Sequence, residues 1–222
     1  MKTFLEKFDN YEKIADKFSR YYSLLVEWNE KFNLTAITDE SGVWLKHFAD
    51  SVTSESLIKQ GASVLDVGSG AGFPGIPLKI VRDDISLTML DSVNKKVTFL
   101  NEVVSQLELS NAQAIHSRIE DFDKKQKYDV VVSRAVAELR TLCEYTLPFV
   151  KEGGIFIAYK SEKTDEEIIN AKNALAILGG EVSEVKEVSV GELTRKLVVI
   201  KKIKPTPPKY PRGKNLPRVK PL

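Results

Sequence analysis

The chain has 222 residues, 42% of them apolar and 29% charged, which suits one globular core and is too hydrophobic for a disordered chain. No run approaches the ~18 apolar residues of a membrane span, the charged start Met1-Lys2-Thr3-Phe4-Leu5-Glu6-Lys7 is no signal peptide, and one cysteine (Cys143) with two histidines (His47, His116) excludes an internal disulfide and speaks against a metal site. The expectation is a cytoplasmic protein without a metal or membrane partner, whose small net charge of +2 hides an acidic body and a basic tail.

The first third reads as helical. Phe4, Phe8, Tyr11, Ile14, Phe18, Tyr22, Leu25, Trp28 and Phe32 recur at spacings of three and four, which places them on one face. Shorter helices are expected over 39–48 and 51–59, with Gly61 as a stop. Residues 1–60 thus form an N-terminal helical extension packed on the core. From Ala62, strand-like runs at 63–67, 86–90, 112–115, 128–132 and 155–159 alternate with helices at 74–81, 93–109, 138–150 and 165–178. Thr164-Asp-Glu-Glu167 has the pattern of a capping box, and Gly179-Gly180 ends that helix. Such alternation implies a parallel sheet with helices on both faces. Runs 181–190 and 195–203 have no helix between them and should pair antiparallel around Gly191. The fold class is therefore α/β: a doubly wound Rossmann-like sheet over 61–204 with a terminal antiparallel hairpin. That plan is usual for S-adenosylmethionine-dependent methyltransferases and less usual for dinucleotide dehydrogenases.

Residues 205–222 form a basic, proline-rich tail. Residues 201–222 hold eight Lys or Arg and no acid; removing those eight from the total of 33 leaves 25 bases against 31 acids, a net of −6 for the rest. The tail reads either as a solvated segment or as an arm that contacts phosphates.

The most informative segment is Val64-Leu-Asp-Val-Gly-Ser-Gly-Ala-Gly-Phe-Pro-Gly75, between the first strand and a helix. Gly68, Gly70 and Gly72 let the backbone turn sharply and approach a ligand. Asp66 beside them favours a cofactor with an ammonium and a sulfonium over a pyrophosphate, and no Gly-Lys-Ser/Thr follows, so a nucleotide-phosphate loop is excluded. Asp91, at the end of the second strand, stands where a carboxylate accepts hydrogen bonds from ribose hydroxyls; capping the next helix is the other reading. Ile119-Glu120 would lie beside an adenine, or form a plain surface loop. Arg134, after the fourth strand, should point into the crevice at the carboxyl ends of the strands. It could hold a cofactor carboxylate or a nucleic-acid phosphate, or pair with Glu138. Cys143, Trp44 and His47 read as packing or helix-end residues.

The segments Trp28-Asn29-Glu-Lys-Phe32-Asn33-Leu34-Thr35, His47-Phe48-Ala-Asp50-Ser51, Leu65-Asp-Val-Gly-Ser-Gly-Ala-Gly-Phe-Pro-Gly-Ile-Pro-Leu78, Leu90-Asp91-Ser92, Ser117-Arg118-Ile-Glu120 and Ser133-Arg134-Ala135 occur in that order. Together they resemble the bacterial glucose-inhibited division protein B family, the 16S rRNA guanine-N7 methyltransferases, from about Trp28 to Lys160. The resemblance implies methyl transfer from S-adenosylmethionine to a guanine N7 of 16S rRNA in the small ribosomal subunit. It implies cofactor contacts at Gly68, Phe73, Ile119, Glu120 and Arg134; Gly70, Gly72 and Asp91 are added from the turn geometry. The tail departs from the family's usual continuation at Gly213-Lys-Asn-Leu-Pro217. Guanine N7 has a free lone pair and no proton to lose, so no catalytic base is assigned and alignment would carry the rate. The competing readings are a nicotinamide-dependent dehydrogenase and a ribosome-binding protein with a vestigial pocket.

Overall fold

The structure is a computed structural model and describes residues 3–191 and 193–222. Met1 and Lys2, at the charged start, lie outside the described residues, as does Glu192. Among the described residues, seven strands form one sheet: β1 (Ser63–Val67), β2 (Ser86–Asp91), β3 (Ala112–His116), β4 (Tyr128–Arg134), β5 (Val150–Lys160), β6 (Gly180–Val190) and β7 (Leu193–Lys202). Their order is β3-β2-β1-β4-β5-β7-β6. The first five strands run parallel, and β7 is antiparallel to both β5 and β6. The chain leaves β1 toward β2 on one side and returns to β4 on the other, so a crevice opens at the carboxyl ends of β1 and β4.

The helices are α1 (Tyr11–Phe32), α2 (Glu40–Gly42), α3 (Gly75–Val81), α4 (Asn94–Gln106), α5 (Leu139–Thr146), α6 (Thr164–Leu178) and α7 (Leu216–Val219). Period-two alternation divides the strand side chains between two cores. Val64, Met89, Val130, Val132, Ile157 and Leu197 pack with α1, α3 and α4. Leu65, Leu90, Val131, Phe156, Ala158 and Val198 pack with α5 and α6. The N-terminal helices are thus one wall of the first core, through Phe18, Tyr21, Leu25, Trp44 and Phe48. Cys143 is buried in the second core, where desolvation pushes its thiol up to about 12.

Four local expectations are corrected. The apolar run from Phe4 is not one helix: Asn10 takes a left-handed φ of 60° and separates a 3-10 turn at Thr3–Leu5 from α1. The 39–48 helix is the single turn α2 followed by a π-helix at Val43–Ala49, and 51–59 is a 3-10 helix at Val52–Leu57. The capping box of α6 does not form. Thr164 lies inside the helix with its hydroxyl on the Ser161 carbonyl, and the Glu167 carboxylate accepts from the Leu139 N–H at 2.7 Å instead. The helix expected over 138–150 stops at Thr146, and after a 3-10 turn containing Pro148 the chain is already strand at Val150.

The tail is docked on α5. Arg212 donates to the buried Glu144 carboxylate from its backbone N–H (2.9 Å), Nε (2.8 Å) and Nη2 (2.6 Å), and Tyr210 and Pro211 are buried. Among the described residues, no helix is long and apolar enough to cross a membrane.

Candidate cofactor and substrate site

Among the described residues, two cavities open at the carboxyl edge of the sheet. The first, about 140 Å³, is lined by Gly68, Asp91, Ser117, Ile119, Glu120 and Val136, among others. The second, about 430 Å³, is lined by Lys46, His47, Asp50, Arg134, Lys160 and Arg195, among others. Consecutive residues separate them: Arg134 and Ala135 border the second, and Val136 the first.

The turn after β1 is stitched to β2 by the N–H groups of Gly68 (2.8 Å) and Ser69 (3.1 Å), both on the Leu90 carbonyl. Gly68 has φ 74°, and a Cβ there would stand 2.5 Å from Val136 Cγ2, so only glycine fits. The Asp91 carboxylate accepts from the Gly70 N–H (2.9 Å) and the Val93 N–H (2.9 Å). It therefore leads the chain into α4 and also faces the first cavity, and two engaged oxygens keep further lone pairs for hydroxyl donors. Ile119 gives the first cavity an apolar wall and Glu120 an acceptor at its rim. Gly72 does not face either cavity. A side chain there would strike the Tyr21 hydroxyl at 2.5 Å and Ile76 at 2.7 Å, so its bareness admits α1.

Asp66 is not at the mouth of the sheet. It shares the side of β1 with Val64, which turns it under α3, where it accepts from the Gly75 N–H at 3.0 Å. Burial pushes its carboxyl up to about 7, against the Gly75 hydrogen bond that favours the charged form.

Arg134 follows the same parity as Val130 and Val132, so it leaves β4 toward the N-terminal helices. It donates to Asp50 Oδ2 at 2.6 Å and to the Lys46 carbonyl at 3.3 Å, and its guanidinium lies 5.1 Å from the Phe73 ring centre. Glu138, expected as its alternative partner, pairs with Arg140 instead. Arg195 of β7 holds the other Asp50 oxygen at 3.2 Å. His47 stacks on Phe73, ring centres 4.4 Å apart. Its Nε2 meets the Thr35 hydroxyl at 2.9 Å, and its Nδ1 lies 3.3 Å from Arg134 Nη2. Burial, reinforced by the Arg134 charge, lowers the imidazole to about 4, so it is neutral near pH 7. Phe73 itself is buried and lines neither cavity; it backs His47 and Arg134. Trp44 is buried among Phe4, Phe18 and Phe48 and offers no face to a base.

Of the sequence-derived residues, Gly68, Asp91, Ile119 and Glu120 thus meet at the first cavity, Gly70 is tied to Asp91, and Arg134 belongs to the second. Lys46, Asp50 and Arg195 had no role assigned. The block His47–Ser51 was visible in the resemblance, and the parity of Arg195 with Leu197 on β7 would have put it on the same side as Arg134.

A family model described as rRNA small subunit methyltransferase G matches residues 14–198. The chain belongs to this family. The family protein of Desulforamulus reducens is 48% identical over 97% of this chain and 93% of that protein. The one from Staphylococcus carnosus is 46% identical over 95% and 92%. Among solved structures, a SAM-dependent methyltransferase from Aquifex aeolicus has a TM-score of 0.55 at 23% identity, covering 73% of this chain and 93% of that one. The M. jannaschii TYW2 complex with AdoMet has a TM-score of 0.58 at 18% identity, covering 76% and 80%. These structures share the fold. As a member of the methyltransferase G family the chain is a methyltransferase, neither a dehydrogenase nor a vestigial binding module.

Proposed function

We propose that the chain moves a methyl group from S-adenosylmethionine to N7 of a guanine in 16S rRNA, as naked rRNA or within the small ribosomal subunit, in the cytoplasm. The first cavity fits the cofactor's nucleoside: a side-chain-free approach at Gly68, a carboxylate at Asp91 with lone pairs for ribose hydroxyls, an apolar wall at Ile119 and an acceptor at Glu120. When bound, the cofactor supplies an electrophilic methyl on a sulfonium. The second cavity receives the base. Lys46, Arg134, Lys160 and Arg195 face it with Asp50 and Glu167, an excess of cations suited to a polyanion.

The observation that carries the choice of N7 is the state of the groups in the second cavity. Asp50 is held by Arg134 and Arg195, Glu167 by Lys160 at 2.6 Å, and His47 has both ring nitrogens engaged. These residues are arranged to fix a backbone and an acceptor atom rather than to remove a proton. A ring nitrogen with a free lone pair needs only alignment, which can supply up to ~7–11 kcal/mol. N7 lies on the major-groove edge, which a regular A-form helix hides, so the base must come from a loop or be splayed out.

The test is incubation of the chain with methyl-labelled cofactor and either 16S rRNA or small subunits from cells lacking this methyltransferase, followed by mass mapping and by the borohydride–aniline cleavage that 7-methylguanine permits. One labelled guanine, cleaved at that position, is expected. Label on an exocyclic amine, a ribose or another base overturns the reading.

A further inference from the structure

The first cavity has a wall that the methyltransferase sheet does not provide. Asn215 and Arg218, from the tail, line it together with Asp91, Ile119 and Glu120. The Asn215 N–H donates to Glu120 Oε1 at 3.2 Å. Arg218 Nη2 donates at 3.0 Å to the carbonyl of Val136, the residue whose side chain lies over Gly68. Arg218 and Glu120 also act on the same buried phenol, Tyr145, in opposite directions.

This placement is built. Glu144 is 1% exposed and takes three hydrogen bonds from Arg212. Arg212 Nη2 also reaches the Lys220 carbonyl at 2.9 Å, and the Thr141 hydroxyl donates to the Pro217 carbonyl at 3.1 Å. A buried carboxylate is tolerated only when paired, so the Arg212–Glu144 pair fixes where the tail begins its path across the cavity. With the tail in place the cavity is about 140 Å³, below the ~300–1,000 Å³ usual for small-molecule sites.

We infer that residues 215–218 are part of the cofactor site: Asn215 and Arg218 clasp the adenosine end against Glu120 and Ile119, and the tail shifts to admit the cofactor. This rests on the reading of the first cavity as the adenosine site. A guanidinium suits the task, because it stacks flat on a purine and donates to its ring nitrogens or to ribose oxygens.

The experiment is calorimetric titration of the full chain with S-adenosylhomocysteine, adenosine and methionine, repeated for Arg218→Ala, for a chain ending at Lys214, and for Lys220→Ala as a charge control. Arg218→Ala is expected to weaken S-adenosylhomocysteine and adenosine on the order of tenfold, as for one lost charge-assisted hydrogen bond, and to leave methionine unchanged. The shortened chain should lose at least as much, and Lys220→Ala nothing. Arg218→Ala retains the Arg212 and Thr141 anchors, so it decides the matter if the shortened chain fails to fold. Wild-type affinity in Arg218→Ala overturns the role of the tail while leaving the cofactor site intact. A folded wild type that binds none of the three ligands overturns the cofactor reading itself, and the role of the tail with it.

Discussion

Asp66 and His47 titrate in opposite senses over the same range. Burial raises the Asp66 carboxyl from 3.8 to about 7, so between those values the unfolded chain has lost a proton that the folded chain keeps, and stability falls as pH rises. Burial lowers His47 from 6.5 to about 4, so between those values the unfolded chain gains a proton that the folded chain refuses, and stability falls as pH drops. From pH 4 to 6.5 the two slopes cancel. Single variants separate them. Asp66→Asn should show stability that climbs with pH across this window, and His47→Gln stability that declines. Urea midpoints at half-unit pH steps check this, and parallel profiles for the two variants would contradict it. The same two residues show what was legible at this scale. Residue types and the glycine turn indicated that Gly68, Asp91 and Glu120 would stand together, and they line one cavity. The same signals did not say which way Asp66 turns, because one step of strand parity decides between the crevice and the underside of α3. Nor did local spacing pair Arg134 with Asp50, which lies 84 positions earlier and arrives on the π-helix side of the core.

Element ends were legible where a glycine was needed for its backbone and illegible where a side chain had a better partner elsewhere. Gly179 caps α6 at φ 77°, as the Gly179-Gly180 pair indicated. Glu167 left its expected capping role because the Leu139 N–H and Lys160 lie within reach once α5 and α6 pack together. Glycine positions also differ in why they resist substitution. Gly61 (φ 68°) has nothing within 4 Å of an added Cβ, whereas at Gly179 that atom would meet the Lys204 carbonyl oxygen at 2.3 Å. Gly61→Ala should therefore cost only the left-handed backbone penalty, about 1–2 kcal/mol. Gly179→Ala should cost that plus displacement of the chain leaving β7, whose Ile203 and Lys204 N–H groups both bond the Gly179 carbonyl. Chemical denaturation should rank Gly179→Ala as the less stable by at least a further ~1 kcal/mol. Equal losses would mean that the exit from β7 yields freely.

At the scale of the molecule, alternation of strands and helices gave the parallel sheet and its antiparallel hairpin, because each connection is short and local. The tail was not legible, because its place depends on a buried acid on α5 that no neighbouring residue marks. Its docking also changes how the charge asymmetry acts on a polyanion. Arg212 is neutralised by Glu144, and Arg218 is turned onto the Val136 carbonyl. On the proposed reading, the positive field that meets rRNA lies instead around the second cavity, where Lys46, Arg134, Lys160 and Arg195 outnumber Asp50 and Glu167. Position, more than net charge, should then set affinity for rRNA. Lys46 is exposed at that cavity, and if the cavity takes rRNA as proposed, removing it deletes one phosphate contact and its released counterion. Lys172 is equally exposed, but α6 runs away from the carboxyl edge after Glu167, so it stands outside the field. Lys46→Ala should lower the slope of log affinity against log salt by about 0.7–0.9, and Lys172→Ala, with the same change in net charge, should leave it unaltered. Filter binding of 16S rRNA at four salt concentrations distinguishes them. Equal slopes for both variants would show that the rRNA senses the overall charge of the protein and that the second cavity has no privileged contact with it.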